Sequence, residues 1–386
     1  MEQTPILFEK PQPAPETVEM KRSYSRAGLS VAALYGTVGI GESIAIILIV
    51  GILSVLAIGG WLPSADMDSF LNNGGFYIEE YLDSIIGTGI IATALTVLLL
   101  VQACAWIVGF VIMRLVLPKG TPIEKKSLPF GQFLMIALMC FGVWGVGAVL
   151  GNLSSFFGVE SNNMLDPSAF GIESLPYLIY AVVGAPIVEE LTFRKALLDR
   201  LHDTHEGYAA VVSGLLFGLM HGNHMQFFLA FFLGMLFAMV YQRTGRVIYT
   251  MLLHAMINTT ATLPEILSLM NIDIGLIWDI VTGCLIVAGL IVLLICRKNS
   301  FLHTAPCTVP DANRVVYQNI GMRIVRIAAL VLIGVQGAML VFLPMLTDAD
   351  PRYLIGLIPL TLVFLTVLLL PKFTKRYEQK PQEETV

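Results

Sequence analysis

Glu189 and Glu190, followed by Leu191-Thr192-Phe193-Arg194, put two carboxylates and a guanidinium near the end of an apolar segment. Two further polar pairs follow in later apolar segments: Phe217 with His221, and His254 with Asn258. Carboxylates and histidines are the side chains of proton transfer. In hydrocarbon they are costly, so an intramembrane ionisable residue points to function by default.

Helical spacing divides the labour within the first piece. Glu190 and Arg194 are four residues apart, share a face and can pair directly. Glu189 is turned roughly 100° away and is left free. On this reading Glu190–Arg194 is structural and Glu189 is the working carboxylate. A plainer reading makes all three an interfacial cluster at a helix end, and spacing alone does not separate the two. His221 likewise reads as a surface-loop histidine beside His224. His254 and Asn258, both hydrogen-bond donors, read as interhelical glue worth ~0.6 kcal/mol per bond on average.

Such residues need elements that bring them to one depth. The chain has 386 residues, of which only 13% are charged, against roughly 25% in soluble domains. Spread over long uncharged runs, that deficit predicts an all-α polytopic membrane protein with about ten transmembrane helices. Spans are expected at about 40–60, 85–113, 130–155, 176–199, 207–221, 225–242, 247–263, 275–296, 327–345 and 354–371. The fifth is short for a bilayer. It carries Ala210, Gly214, Gly218 and Gly222 at strict four-residue spacing, which lets helices approach closely. The fourth opens at Ser174 and Pro176, and Pro186 predicts a kink that frees a backbone carbonyl. The run Phe227-Phe228 and Phe231-Phe232 is expected to face lipid or pack.

Basic residues set orientation. Lys21, Arg22 and Arg26, then Lys125 and Lys126, Arg200, Arg243 and Arg246, and finally Lys372 and Lys375 fall on one side. The opposite loops hold acids such as Asp66, Glu79, Asp166 and Asp350, with Arg352. A multi-pass cell-membrane protein with both termini cytoplasmic is the expectation. No cleavable signal peptide is expected, because the first 30 residues carry prolines and mixed charges and read as a flexible tail. Residues 61–84 read as an outer loop. The five cysteines form no C-x-x-C, so neither a disulfide framework nor a cysteine metal site is expected.

Depth ties the three pieces together. At about 1.5 Å per residue, Glu189 lies roughly 16 Å in from Arg200, and His254 and Asn258 roughly 12 and 18 Å in from Arg246. His221 lies roughly 22 Å in from Glu206. All fall within a ~30 Å hydrocarbon core and can share one polar cavity.

In order, E-E-x-x-x-R, F-x-x-x-H and H-x-x-x-N resemble the motifs of the CPBP family, intramembrane glutamic endopeptidases that include the CAAX prenyl proteases and bacterial relatives linked to bacteriocin processing or immunity. Here they are Glu189-Glu190 with Arg194, Phe217 with His221, and His254 with Asn258, over about residues 174–263. The resemblance implies a CPBP-like core around an intramembrane cavity. It further implies that Glu189 and His221 activate a water while His254 and Asn258 stabilise the oxyanion. Glu190, Arg194 and Phe217 are then structural support. A membrane-associated peptide or protein is the implied substrate, with no cofactor, no metal and no nucleic acid.

The layout expected is a cytoplasmic tail at 1–30, transmembrane helices over 31–173, the catalytic core at 174–265, further helices over 266–371, and a tail at 372–386. Two other readings compete. A zinc hydrolase would use Glu189, His221 and His254, although no H-E-x-x-H is present. A transporter, or a non-catalytic scaffold or immunity protein, also suits broken helices with midplane polar groups, but no clear inverted repeat is visible.

Overall fold

The computed structural model describes residues 15–58, 90–117, 120–151, 175–201, 206–221 and 224–296, with Arg323. All regular structure among them is helical. We label the helices α1 (Pro15–Ile58), α2 (Ile90–Val116), α3 (Phe130–Gly151), α4 (Leu175–Leu201, interrupted), α5 (Glu206–Met220), α6 (His224–Thr244), α7 (Val247–Ser268) and α8 (Gly275–Cys296). Segments of α2, α3, α4, α6 and α8 are long and apolar enough to cross a membrane. The molecule is a multi-pass all-α membrane protein. Each of the first eight expected spans falls on one helix; those at 327–345 and 354–371, and the loop at 61–84, lie outside the described residues.

The expected flexible tail requires correction from residue 15 on: Pro15, the first described residue, already belongs to α1. Met20, Tyr24, Ala27, Val31 and Leu34, spaced by three and four, are buried in the core. That stripe is a helix signal, and it outweighs the charges around it.

Helix α6 is central. Phe227, Phe228, Ala238 and Tyr241 pack into one apolar cluster with α1, α2, α4 and α5. Leu233, Leu236, Phe237 and Val240 pack into a second with α3 and α7. A helix apolar all round is a buried helix, so Phe227 and Phe228 are packing residues, not lipid-facing ones. The small-residue stripe of α5 lies on α6. A Cβ at Gly214 would meet the Phe231 carbonyl at 2.7 Å, and one at Gly218 the Phe227 carbonyl at 2.9 Å. Helices α3 and α8 touch in the same way, with Gly142 against the backbone of Gly289.

Polar ties fix the ends. Asp199 of α4 accepts from the Tyr241 hydroxyl at 2.6 Å and pairs with Lys195 at 2.6 Å. Glu206 pairs with Arg243 across α5 and α6 at 2.5 Å. In α7, Pro264 cannot donate to the carbonyl of Thr260. The indole Nε1–H of Trp278 on α8 donates to that carbonyl instead, at 2.8 Å.

Candidate active site

Helix α4 is built in five short pieces. Regular turns at Leu175–Ile179, Ala185–Glu190 and Leu197–Leu201 alternate with π-helical turns at Tyr180–Gly184 and Leu191–Ala196. In the first π turn the Ala185 N–H donates five residues back, to Tyr180. The next bond in that register would run from residue 186 to Ala181, but Pro186 has no N–H. The Ala181 carbonyl is therefore free, and Asn258 of α7 donates its Nδ2–H to it at 2.8 Å. Thus the carbonyl expected to be freed by Pro186 is that of Ala181, in a widened turn clasped by a neighbouring helix. π turns of this kind concentrate at functional sites.

Glu189 and Glu190 sit on the regular piece between the two widened turns. Their environments differ sharply. The Glu190 side chain is fully buried, and its Oε2 lies 3.0 Å from Nε of the equally buried Arg194. That N–H is not aimed along a hydrogen-bond axis, and Nη1 and Nη2 of Arg194 also lack hydrogen-bond acceptors among the described residues. The pair is held by charge, and the guanidinium carbon lies over the rings of Phe217, 4.6 Å from the centroid, and Phe237, 5.5 Å from the centroid. Glu189 keeps 12% of its side chain exposed, and its Oε2 has no hydrogen-bond partner among the described residues.

His254 connects the two carboxylates. Its Nδ1 lies 3.1 Å from Glu190 Oε1. An ionised carboxylate only accepts, so Nδ1 is the donor. That bond turns Nε2 toward Glu189, whose Oε2 is 3.8 Å away, beyond hydrogen-bonding range.

His221 is fixed by its own turn. Its backbone N–H donates to Gly218 at 3.2 Å, a tightened helix end. The Phe217 carbonyl is thereby left to the His221 ring, with Nδ1 3.0 Å away. A carbonyl accepts, so Nδ1 carries the proton and Nε2 presents a lone pair. Phe217 joins the histidines: its ring meets the edge of His221 at 5.1 Å and of His254 at 5.7 Å. The structure thus gathers Glu189, Glu190, Arg194, Phe217, His221, His254 and Asn258 around α4, α5 and α7. Asn258 is the exception in direction, since one of its two amide N–H groups is spent on Ala181.

Two contributors escaped the sequence reading. Phe237 carries no signal within an evenly apolar helix. Tyr35 lies on α1, and its hydroxyl donates to the Leu216 carbonyl. Among the described residues, no group of three or more His, Cys, Asp or Glu side chains is arranged to hold a metal ion.

Residues 171–260 match the family described as Rce1-like, type II CAAX prenyl endopeptidase. The chain is also 31% identical, over 152 residues, to YdiL of Bacillus subtilis (strain 168), itself named as a proposed membrane peptidase. That match covers 37% of this chain and 60% of the relative, so the chain spans less than two thirds of its length. No solved structure matches the chain. The motif-based resemblance to the CPBP peptidases holds for the segment that carries the site.

Proposed function

We propose that this protein is an intramembrane endopeptidase that hydrolyses a peptide bond of a membrane-associated peptide or protein. The observation that carries the reading is the asymmetry of the two glutamates. Glu190 is sealed against Arg194 and His254, whereas Glu189 keeps 12% of its side chain exposed and turns a buried oxygen without a hydrogen-bond partner among the described residues toward His254 Nε2. A carboxylate in a low-dielectric pocket is a stronger base than one in water. Both comparisons point to the same class of activity.

In this mechanism Glu189 takes a proton from water, with the His221 Nε2 lone pair as second acceptor. The hydroxide oxygen bonds to the scissile carbonyl carbon. His254 Nε2, when protonated, and the remaining Asn258 N–H donate to the oxyanion. Preorganised donors of this kind are worth roughly 3–4 kcal/mol each in a dry site. As the C–N bond breaks, the proton held by Glu189 passes to the leaving nitrogen. Every step uses side chains already gathered at α4, α5 and α7, and none calls for a metal. We place the chain in the cell membrane with both termini cytoplasmic, as the basic loops direct.

The test compares the termini of membrane proteins in cells carrying the wild type or Glu189→Gln. Termini present only with the wild type are expected. Identical sets, with both proteins equally abundant, would sink the peptidase reading and leave a scaffold. Full activity in strong chelator is expected, and its loss would restore the zinc alternative.

A further inference from the structure

The family match begins at residue 171, yet α1 reaches the site from far upstream. Leu34 of α1 is fully buried, and the next residue, Tyr35, packs against the same apolar cluster. Its hydroxyl donates to the backbone carbonyl of Leu216 on α5. Leu216 immediately precedes Phe217, whose own carbonyl is taken by the His221 ring. Two consecutive carbonyls in the last turn of α5 are therefore held by side chains, one by His221 itself and one by α1. A helical carbonyl has two lone pairs, so Leu216 can accept the phenol in addition to a helix bond.

We propose that Tyr35 is a positioning residue of the active site: bonded to the Leu216 carbonyl, it fixes the turn of α5 that carries His221 and so the separation of His221 from Glu189. This rests on the peptidase reading above. Glu189 belongs to α4 and His221 to α5, so their spacing depends on contacts between helices. Tyr35 supplies such a contact from a third helix. It also makes α1 part of the enzyme's working apparatus. Displacement of a reacting group by about 1 Å can cost on the order of a hundredfold in rate.

Tyr35→Phe removes one oxygen and keeps the ring, so the fold survives. The full-length protein in liposomes is assayed on a quenched fluorescent peptide ending in a farnesylated Cys-aliphatic-aliphatic-X sequence. Separately, the rate at which dicyclohexylcarbodiimide labels Glu189 is read by mass spectrometry, which needs no turnover. We expect kcat to fall about tenfold or more with KM within about twofold, an altered pH profile of kcat, and a changed labelling rate. Unchanged kcat, pH profile and labelling would overturn the proposal. So would a fall in thermal stability with kcat per folded molecule unchanged, since Tyr35 would then only join α1 to α5. If the wild type leaves the peptide intact, the labelling rate alone decides: a change upholds the part Tyr35 plays in setting the surroundings of Glu189, and no change overturns it. Failure of the peptidase reading shows separately, as identical membrane-protein termini with wild type and Glu189→Gln.

Discussion

Glu190 holds His254 by Nδ1 at 3.1 Å, and that single contact orients the opposite nitrogen toward Glu189. Adjacent glutamates therefore serve one histidine from its two edges. Replacing each should give different phenotypes. Glu189→Gln should abolish cleavage and leave the melting temperature nearly unchanged, because its Oε2 has no partner to lose. Glu190→Gln strands a fully buried guanidinium and should cost roughly 3–5 kcal/mol. Thermal unfolding in detergent, paired with the cleavage assay, reads both. Equal loss of stability in the two variants would contradict the division.

The Asn258–Ala181 bond makes a second prediction. Asn258→Ala leaves a carbonyl unpaired and should destabilise by about 1–3 kcal/mol. Pro186→Ala restores an N–H in the register that Ala181 lacks. In a double-mutant cycle, Pro186→Ala should recover part of that loss, with a coupling of roughly 0.5–3 kcal/mol. Additive effects would show that the proline does not free this carbonyl. Activity should stay low in the double variant, because the amide needed at the oxyanion is still gone.

Phe217 touches both histidines and covers Arg194. Phe217→Leu keeps an apolar group of similar reach but removes the flat ring. Stability should fall by about 1–3 kcal/mol, while kcat should fall further than stability explains, by about tenfold or more. Cleavage normalised to folded protein would check this, and a normalised rate equal to wild type would refute it.

The glycine contact of α5 with α6 makes a prediction remote from chemistry. In Gly214→Val, the new side chain meets the Phe231 carbonyl and Met235. Backbone cannot yield as a flexible side chain can, so the helices must separate. A loss of several kcal/mol, read by unfolding, is expected. Gly131→Val, where nothing lies within 4 Å, should cost far less and serves as the control.

Much of this arrangement was legible in the sequence because helices repeat. Four-residue spacing exposed the Glu190–Arg194 pair, and hydropathy located α1 to α8. The stripe Met20, Tyr24, Ala27, Val31 and Leu34 was equally periodic, but prolines and charges nearby drew it into a tail. Other features were closed to such a reading. Spacing puts His254 and Asn258 on one face, yet Asn258 is drawn to Ala181 by a π turn that no periodicity announces. Tyr35 meets Leu216 across 181 residues, a partnership created only when the helices pack. Phe237 works through its position beside Arg194, and its type is common throughout α6.

The π turn at Tyr180–Gly184 makes α4 tolerant of length at one place. Such a turn holds one residue more than the regular helix needs, whereas in a regular helix each residue advances the face by roughly 100°. Deleting a single residue there would let the helix close into an ordinary one, giving up the extra residue without passing a rotation downstream. Glu189 would keep nearly its face toward His254. A one-residue deletion at Val182 or Val183 should therefore be far milder than one at Met251 or Leu252 in the regular turns of α7, which would rotate His254 away from both glutamates.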